Sequence, residues 1–85
     1  MRLLILEDEP HWQQHILEIA EASPELEIAS VCTNLAEAVT AIKSVDFDMM
    51  VVDLGLPDGS GVDAIRLARR QCAKADILVA TVFRG

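Results

Sequence analysis

Two apolar runs in this chain end in acids: Leu3-Leu4-Ile5-Leu6 leads into Glu7-Asp8-Glu9, and Met49-Met50-Val51-Val52 leads into Asp53. A short aliphatic run bounded by polar residues reads as a buried strand. If the two strands are parallel neighbours, Glu7, Asp8 and Asp53 meet at one sheet edge. Carboxylates gathered there repel one another, which calls for a cation, a shared proton or both. A site made only of carboxylates and main-chain carbonyls offers hard oxygen ligands, matched to Mg2+ or Mn2+ rather than zinc. An aspartate left free to attack phosphorus forms an acyl phosphate. Charge on the transferred phosphoryl oxygens is then stabilised by the metal and by nearby donors. Thr81, ending a fourth apolar run, offers a hydroxyl for one such oxygen, whereas Glu9 reads as an ordinary solvated acid.

The segments that must position these residues alternate between strand and helix patterns. Residues 2–7 form a first strand, and Pro10 opens a helix with Trp12, Ile16, Ile19 and Ala20 on one face. Ser23-Pro24 stops that helix, and Ile28 to Cys32 reads as a short, more polar edge strand. Asn34 with Glu37 resembles a capping box before a helix carrying Leu35, Ala38, Ala41 and Ile42. Residues 48–53 form the third strand, followed by a loop over Gly55-Leu56-Pro57-Asp58-Gly59-Ser60-Gly61. Ser60 with Asp63 gives a second capping-box signature, and a fourth strand runs from Ile77 to about Thr81. Such alternation implies right-handed crossovers and a parallel sheet. If the second connection steps back past the first strand, the order is 2-1-3-4, with a switch point between strands one and three. Ligands of open α/β sheets bind there, beyond the carboxyl ends of the strands. The first helix then covers one face and the second and third cover the other.

Composition narrows the function classes. The 85 residues allow one small domain, and 52% hydrophobic content with a mean hydropathy of +0.32 suits strands buried on both faces. A net charge of −7 argues against a direct grip on a nucleic-acid backbone. Arg66, Arg69 and Arg70 read as a solvated face near a helix C-terminus. No apolar run approaches the roughly 18–20 residues of a membrane span, and the apolar stretch after Met1-Arg2 is short for a signal peptide, so a cytoplasmic location is expected. Cys32 and Cys72 read as reduced, packed thiols, and His11 and His15 as surface residues.

Three blocks together resemble two-component response-regulator receiver domains: Leu4-Ile5-Leu6-Glu7-Asp8-Glu9-Pro10, Val51 through Gly61, and Ile77-Leu78-Val79-Ala80-Thr81. The resemblance spans the chain and implies a flavodoxin-like doubly wound parallel sheet. By it, residues 1–85 are the N-terminal two-thirds of a receiver, truncated before the fourth helix, fifth strand and fifth helix. It implies that a sensor histidine kinase donates a phosphoryl group to Asp53 in a Mg2+-dependent reaction. Asp8 would bind the metal directly, Glu7 through water, and Gly55 through its main-chain carbonyl. Thr81 would be the switch hydroxyl. Val82 lies where many members carry a small residue, so its branched side chain is expected to slow access to the phosphate. The family's lysine at the end of strand five has no counterpart in these residues.

The reading implied is a signalling switch, with at most slow self-phosphorylation and autodephosphorylation. The Leu54-to-Gly61 block is similar to receivers that precede helix-turn-helix domains, which places any DNA contact in an output domain outside this chain. Uncovered apolar residues on strands three and four, and a free edge on strand four, lead us to expect that these residues either belong to a longer chain or self-associate, as a homodimer or a dimer with exchanged elements. Two alternatives stand beside this. One is a Mg2+-dependent aspartyl-nucleophile phosphatase or phosphotransferase, which in haloacid-dehalogenase-like enzymes needs a second aspartate where this chain has Gly55. The other is a degenerate receiver serving only dimerisation or docking.

Overall fold

The computed structural model describes residues 1–80. In chain order it contains β1 (Arg2–Leu6), α1 (Pro10–Glu21), β2 (Glu27–Cys32), α2 (Leu35–Ser44) and β3 (Met49–Val52). These are followed by the two-residue strands β4 (Gly55–Leu56) and β5 (Gly59–Ser60), then α3 (Gly61–Gln71) and β6 (Asp76–Val79). The main sheet runs β2-β1-β3-β6 with every neighbouring pair parallel. This is the expected order, with β6 as the fourth main strand. Thr81 and Val82 lie outside the described residues.

Alternation along the strands splits the core in two. Leu4 and Leu6 of β1 and Met50 and Val52 of β3 point to the α2/α3 face, where they bury Ala38, Ala41, Ile42, Ala64 and Ala68. Alanines on the inner helix faces let both helices lie close to the sheet. Leu3 and Val51 point the other way and pack against Ala20, with Ile16 of α1 alongside. The helices therefore divide between the faces as the crossover rule requires.

Each helix starts on a side-chain cap that satisfies otherwise unpaired N–H groups. Asn34 Oδ1 accepts from Glu37 N–H at 2.8 Å, and Ser60 Oγ accepts from Val62 N–H at 3.1 Å. Both capping boxes close differently from expectation. Glu37 Oε1 turns back to the N–H and hydroxyl of Thr33 rather than to Asn34, and among the described residues Asp63 makes no return bond. Glu9, read from sequence as merely solvated, caps α1 by accepting from Trp12 N–H at 2.8 Å, just before Pro10 at the first helical position.

Three other expectations need correction. The segment 55–61 is not wholly a loop, because β4 and β5 pair antiparallel around a turn with Pro57 in its second place and Gly59 in its fourth. Those places suit a type I turn, in keeping with the absence of positive φ among the described residues. β2 is the longest strand at six residues, with an irregularity opposite Leu3/Leu4 that leaves Ala29 unpaired, as bulges at sheet edges do. On β3, Val51 is only 7% exposed and clusters with Ala20 of α1, so the most exposed apolar side chain on that face is its level partner on β6, Leu78, at 55%. An apolar cleft of about 320 Å³ remains between α1 and β3/β6.

Of the three described glycines, Gly61 sits tightest against its neighbours. A Cβ there would collide with the Asp53 carbonyl oxygen and lie 2.9 Å from Leu54 Cα, both of them backbone. We expect Gly61→Ala to lower stability in urea unfolding by about 2 kcal/mol, the scale of overpacking in a rigid core. A loss near zero would show that the β3–α3 connection yields easily.

Candidate functional site

Strand register brings the acids together. Leu6 pairs with Val52, so the residues that follow, Glu7 and Asp53, emerge level at the carboxyl edge. Their backbones are tied into the ladder: Asp53 N–H donates to Leu6 O at 2.9 Å, and Glu7 N–H donates to Cys32 O at 3.0 Å. One carboxylate oxygen from each of Glu7, Asp8 and Asp53 falls within 4.8 Å of the others. Glu7 is 1% and Asp53 7% exposed, whereas Asp8 is half-buried.

Short hydrogen-bonded turns aim these groups. Gly55 N–H donates to Asp53 Oδ1 at 3.1 Å, which orients the carboxylate and holds Gly55 beside it. Glu9 N–H donates to Glu7 Oε1 at 3.3 Å, and Gln13 Nε2 reaches back from α1 to Glu7 O at 3.0 Å. Gln13 was not singled out from sequence, since one glutamine on an exposed helix carries no signal of its target. Asp8 Oδ1 is fully buried without a hydrogen-bond partner. A buried, unpartnered acceptor in an all-oxygen cluster fits a hard divalent cation, and no Lys or Arg pairs with the three acids among the described residues.

The crowding also acts on protons. Burial raises the Glu7 pKa most, followed by the negative charge of Asp53 and a side-chain hydrogen bond to it. The Glu9 N–H opposes them only in part, and the result is about 7. Without a metal, Glu7 therefore keeps a proton through much of the acidic range.

The remaining chemically equipped residues stay outside the cluster. His11 Nδ1 sits 3.2 Å from Glu9 Oε1 with its side chain 98% exposed, and His15 packs edge-on against Trp12 with ring centroids 5.7 Å apart. Cys32 and Cys72 are free thiols, as expected. Arg69 is exposed in the last turn of α3, as read from the sequence, and its Nη1 also donates to Ala75 O at 2.6 Å, securing the turn into β6.

Glu7 gives a pH dependence of defined sign. Between pH 4.5 and about 7 the folded, metal-free protein holds a proton that the unfolded chain has released, so stability falls as pH rises through this window. The full difference is about 3 kcal/mol. Glu7→Gln should remove that slope in urea unfolding and leave the variant more stable than wild type at pH 8. An unchanged slope would assign the pH dependence to other groups.

The profile described as the response regulator receiver domain matches residues 3–85. Two-component response regulator PhoP of Pseudomonas aeruginosa is 32% identical over 81 residues, which is 95% of this chain and 35% of PhoP. A protein-glutamate methylesterase/protein-glutamine glutaminase of Aliivibrio fischeri is 26% identical over 82 residues, covering 96% of this chain and 22% of that protein. The chain thus spans well under half the length of these relatives. Response regulator TrrA of Thermotoga maritima, solved in complex with Mg2+–BeF, superposes with a TM-score of 0.84 at 26% identity, covering 96% of this chain and 70% of that one. Matched along its length by that profile, and built on the same sheet as TrrA, this chain belongs to the response-regulator receiver-domain family.

Proposed function

We propose that Asp53 is the phosphoacceptor of a two-component pathway. A carboxylate oxygen of Asp53 attacks the phosphorus of a sensor histidine kinase's phosphohistidine, the P–N bond breaks to return imidazole, and an acyl phosphate forms on Asp53. The observation that carries this reading is the convergence of Glu7, Asp8 and Asp53 at the switch point of the sheet, with an unpartnered Asp8 oxygen. Asp8, Asp53 and the Gly55 carbonyl would hold Mg2+, Mn2+ being an alternative of similar chemistry, and Glu7 would act through water. Bound there, the ion would neutralise charge on the phosphoryl oxygens. In the same proposal Thr81 is the switch hydroxyl and Val82 limits access to the phosphate.

Residues 1–85 serve in this reading as the N-terminal two-thirds of a cytoplasmic receiver. Its output is transcriptional, through a DNA-binding domain elsewhere in the protein. In this reading a second copy is a partner for Leu78 and Val79 of β6, which are exposed among the described residues. A metabolite phosphatase is disfavoured by Gly55. A Cβ there would meet nothing within 4 Å, so the place where such an enzyme carries its general acid is open and empty of one.

Incubation with acetyl phosphate and Mg2+, followed by mass spectrometry, tests the assignment. We expect a gain of one phosphoryl group in wild type, mapped to Asp53, and none in Asp53→Ala or after chelation of the metal. Equal labelling of Asp53→Ala would refute Asp53 as the acceptor.

A further inference from the structure

The β4–β5 hairpin is fastened at both ends, and one fastening has no role in the site as described so far. At its tip, Asp58 Oδ1 accepts from Leu35 N–H at 2.7 Å and Oδ2 accepts from Ala36 N–H at 3.0 Å. These are the first two N–H groups of α2, which has no carbonyl of its own to offer them. The carboxylate bridges 22 and 23 residues of sequence, and the two N–H groups hold its carboxyl below the usual range. Packing repeats the attachment, since a Cβ on Gly59 would lie 2.7 Å from Leu35 Cδ2.

At the base, Gly55 pairs with Ser60, donates to Asp53 Oδ1, and has open space where a side chain would be. Among the described residues nothing packs against it on that side, and its placement there depends on the hairpin. The hairpin in turn is set by α2, whose preceding strand β2 supplies Cys32 O to Glu7 N–H. Asp53, Gly55, Asp58, the first turn of α2, Cys32 and Glu7 thus form a closed loop of contacts around the acids.

We propose that Asp58 is a positioning residue for the acidic site: by clamping the hairpin tip to the first turn of α2, it holds the Gly55 main chain in place beside Asp53. The proposal rests on the reading of Gly55 as a main-chain metal ligand. Asp58 itself touches neither metal nor phosphate. Its contribution is to pre-set a weakly packed backbone segment so that its ordering is not charged to metal binding.

Calorimetric titration of Mg2+ into metal-free protein tests this with wild type, Asp58→Ala, Asp58→Asn and Asn34→Ala. Asp58→Ala should weaken Mg2+ binding about 10-fold, the scale found when partners that orient metal ligands are removed. Asp58→Asn keeps one acceptor oxygen and should recover part of the loss. Asn34→Ala uncaps the same helix at Glu37 N–H without touching the hairpin. It should lower the melting temperature as Asp58→Ala does yet retain wild-type Mg2+ affinity. Wild-type affinity in Asp58→Ala would overturn the inference alone, as would an Asn34→Ala loss equal to that of Asp58→Ala. A wild-type protein that binds no Mg2+ would instead overturn the metal reading and this inference with it.

Discussion

Carboxyl groups held within 4.8 Å of one another and shielded from water repel with an energy of about 3 kcal/mol per charged pair at an effective dielectric near 20. The rest of the site follows from that repulsion and from the strand register that imposes it. Because Leu6 and Val52 are level partners, Glu7 and Asp53 cannot move apart without breaking the ladder bonds on either side of them. The conflict is eased by keeping a proton on Glu7, and a cation at the same place would ease it further. Asp8 Oδ1, buried without a donor, is the third expression of the same unmet charge.

Around this conflict the fold is stiff where it must be and open elsewhere. The α2/α3 face is filled by aliphatic strand residues against helix alanines, and Gly61 lets α3 start hard against the Asp53 backbone. Gly55, by contrast, has free space, and its position is inherited from a hairpin anchored on α2. In the proposed reading this division suits a site that accepts and releases a charged group, with the acids fixed by the sheet and the Gly55 main chain held by the Asp58 clamp.

Much of this was legible in the sequence because it depends on local patterns. Aliphatic runs ending in acids, helix-period segments and the Asn34 and Ser60 caps mark the elements and the acids, while the sheet order followed only on the condition that the second connection steps back past β1 and from the receiver resemblance. Contacts between residues distant in the chain left no such trace. Asp58 sits in a run of turn residues whose composition announces a turn but not the helix end it will cap. Gln13 looks like any exposed glutamine until α1 is laid over the β1 edge. The clustering of Val51 with Ala20 depends on where α1 crosses the sheet, which periodicity does not encode. Glu9 lay between these cases: its place immediately before Pro10 marked a cap, but glutamate is a weaker cap signal than aspartate or serine.

The most direct test of the account is the number of protons released when Mg2+ binds, obtained calorimetrically by titrating metal-free protein in buffers of different ionisation enthalpy. With the Glu7 pKa near 7 in the absence of metal, close to one proton should leave per ion at pH 6, and essentially none at pH 9. Release that is absent at pH 6, or that persists unchanged in Glu7→Gln, would contradict a site built on carboxylate repulsion relieved by a shared proton.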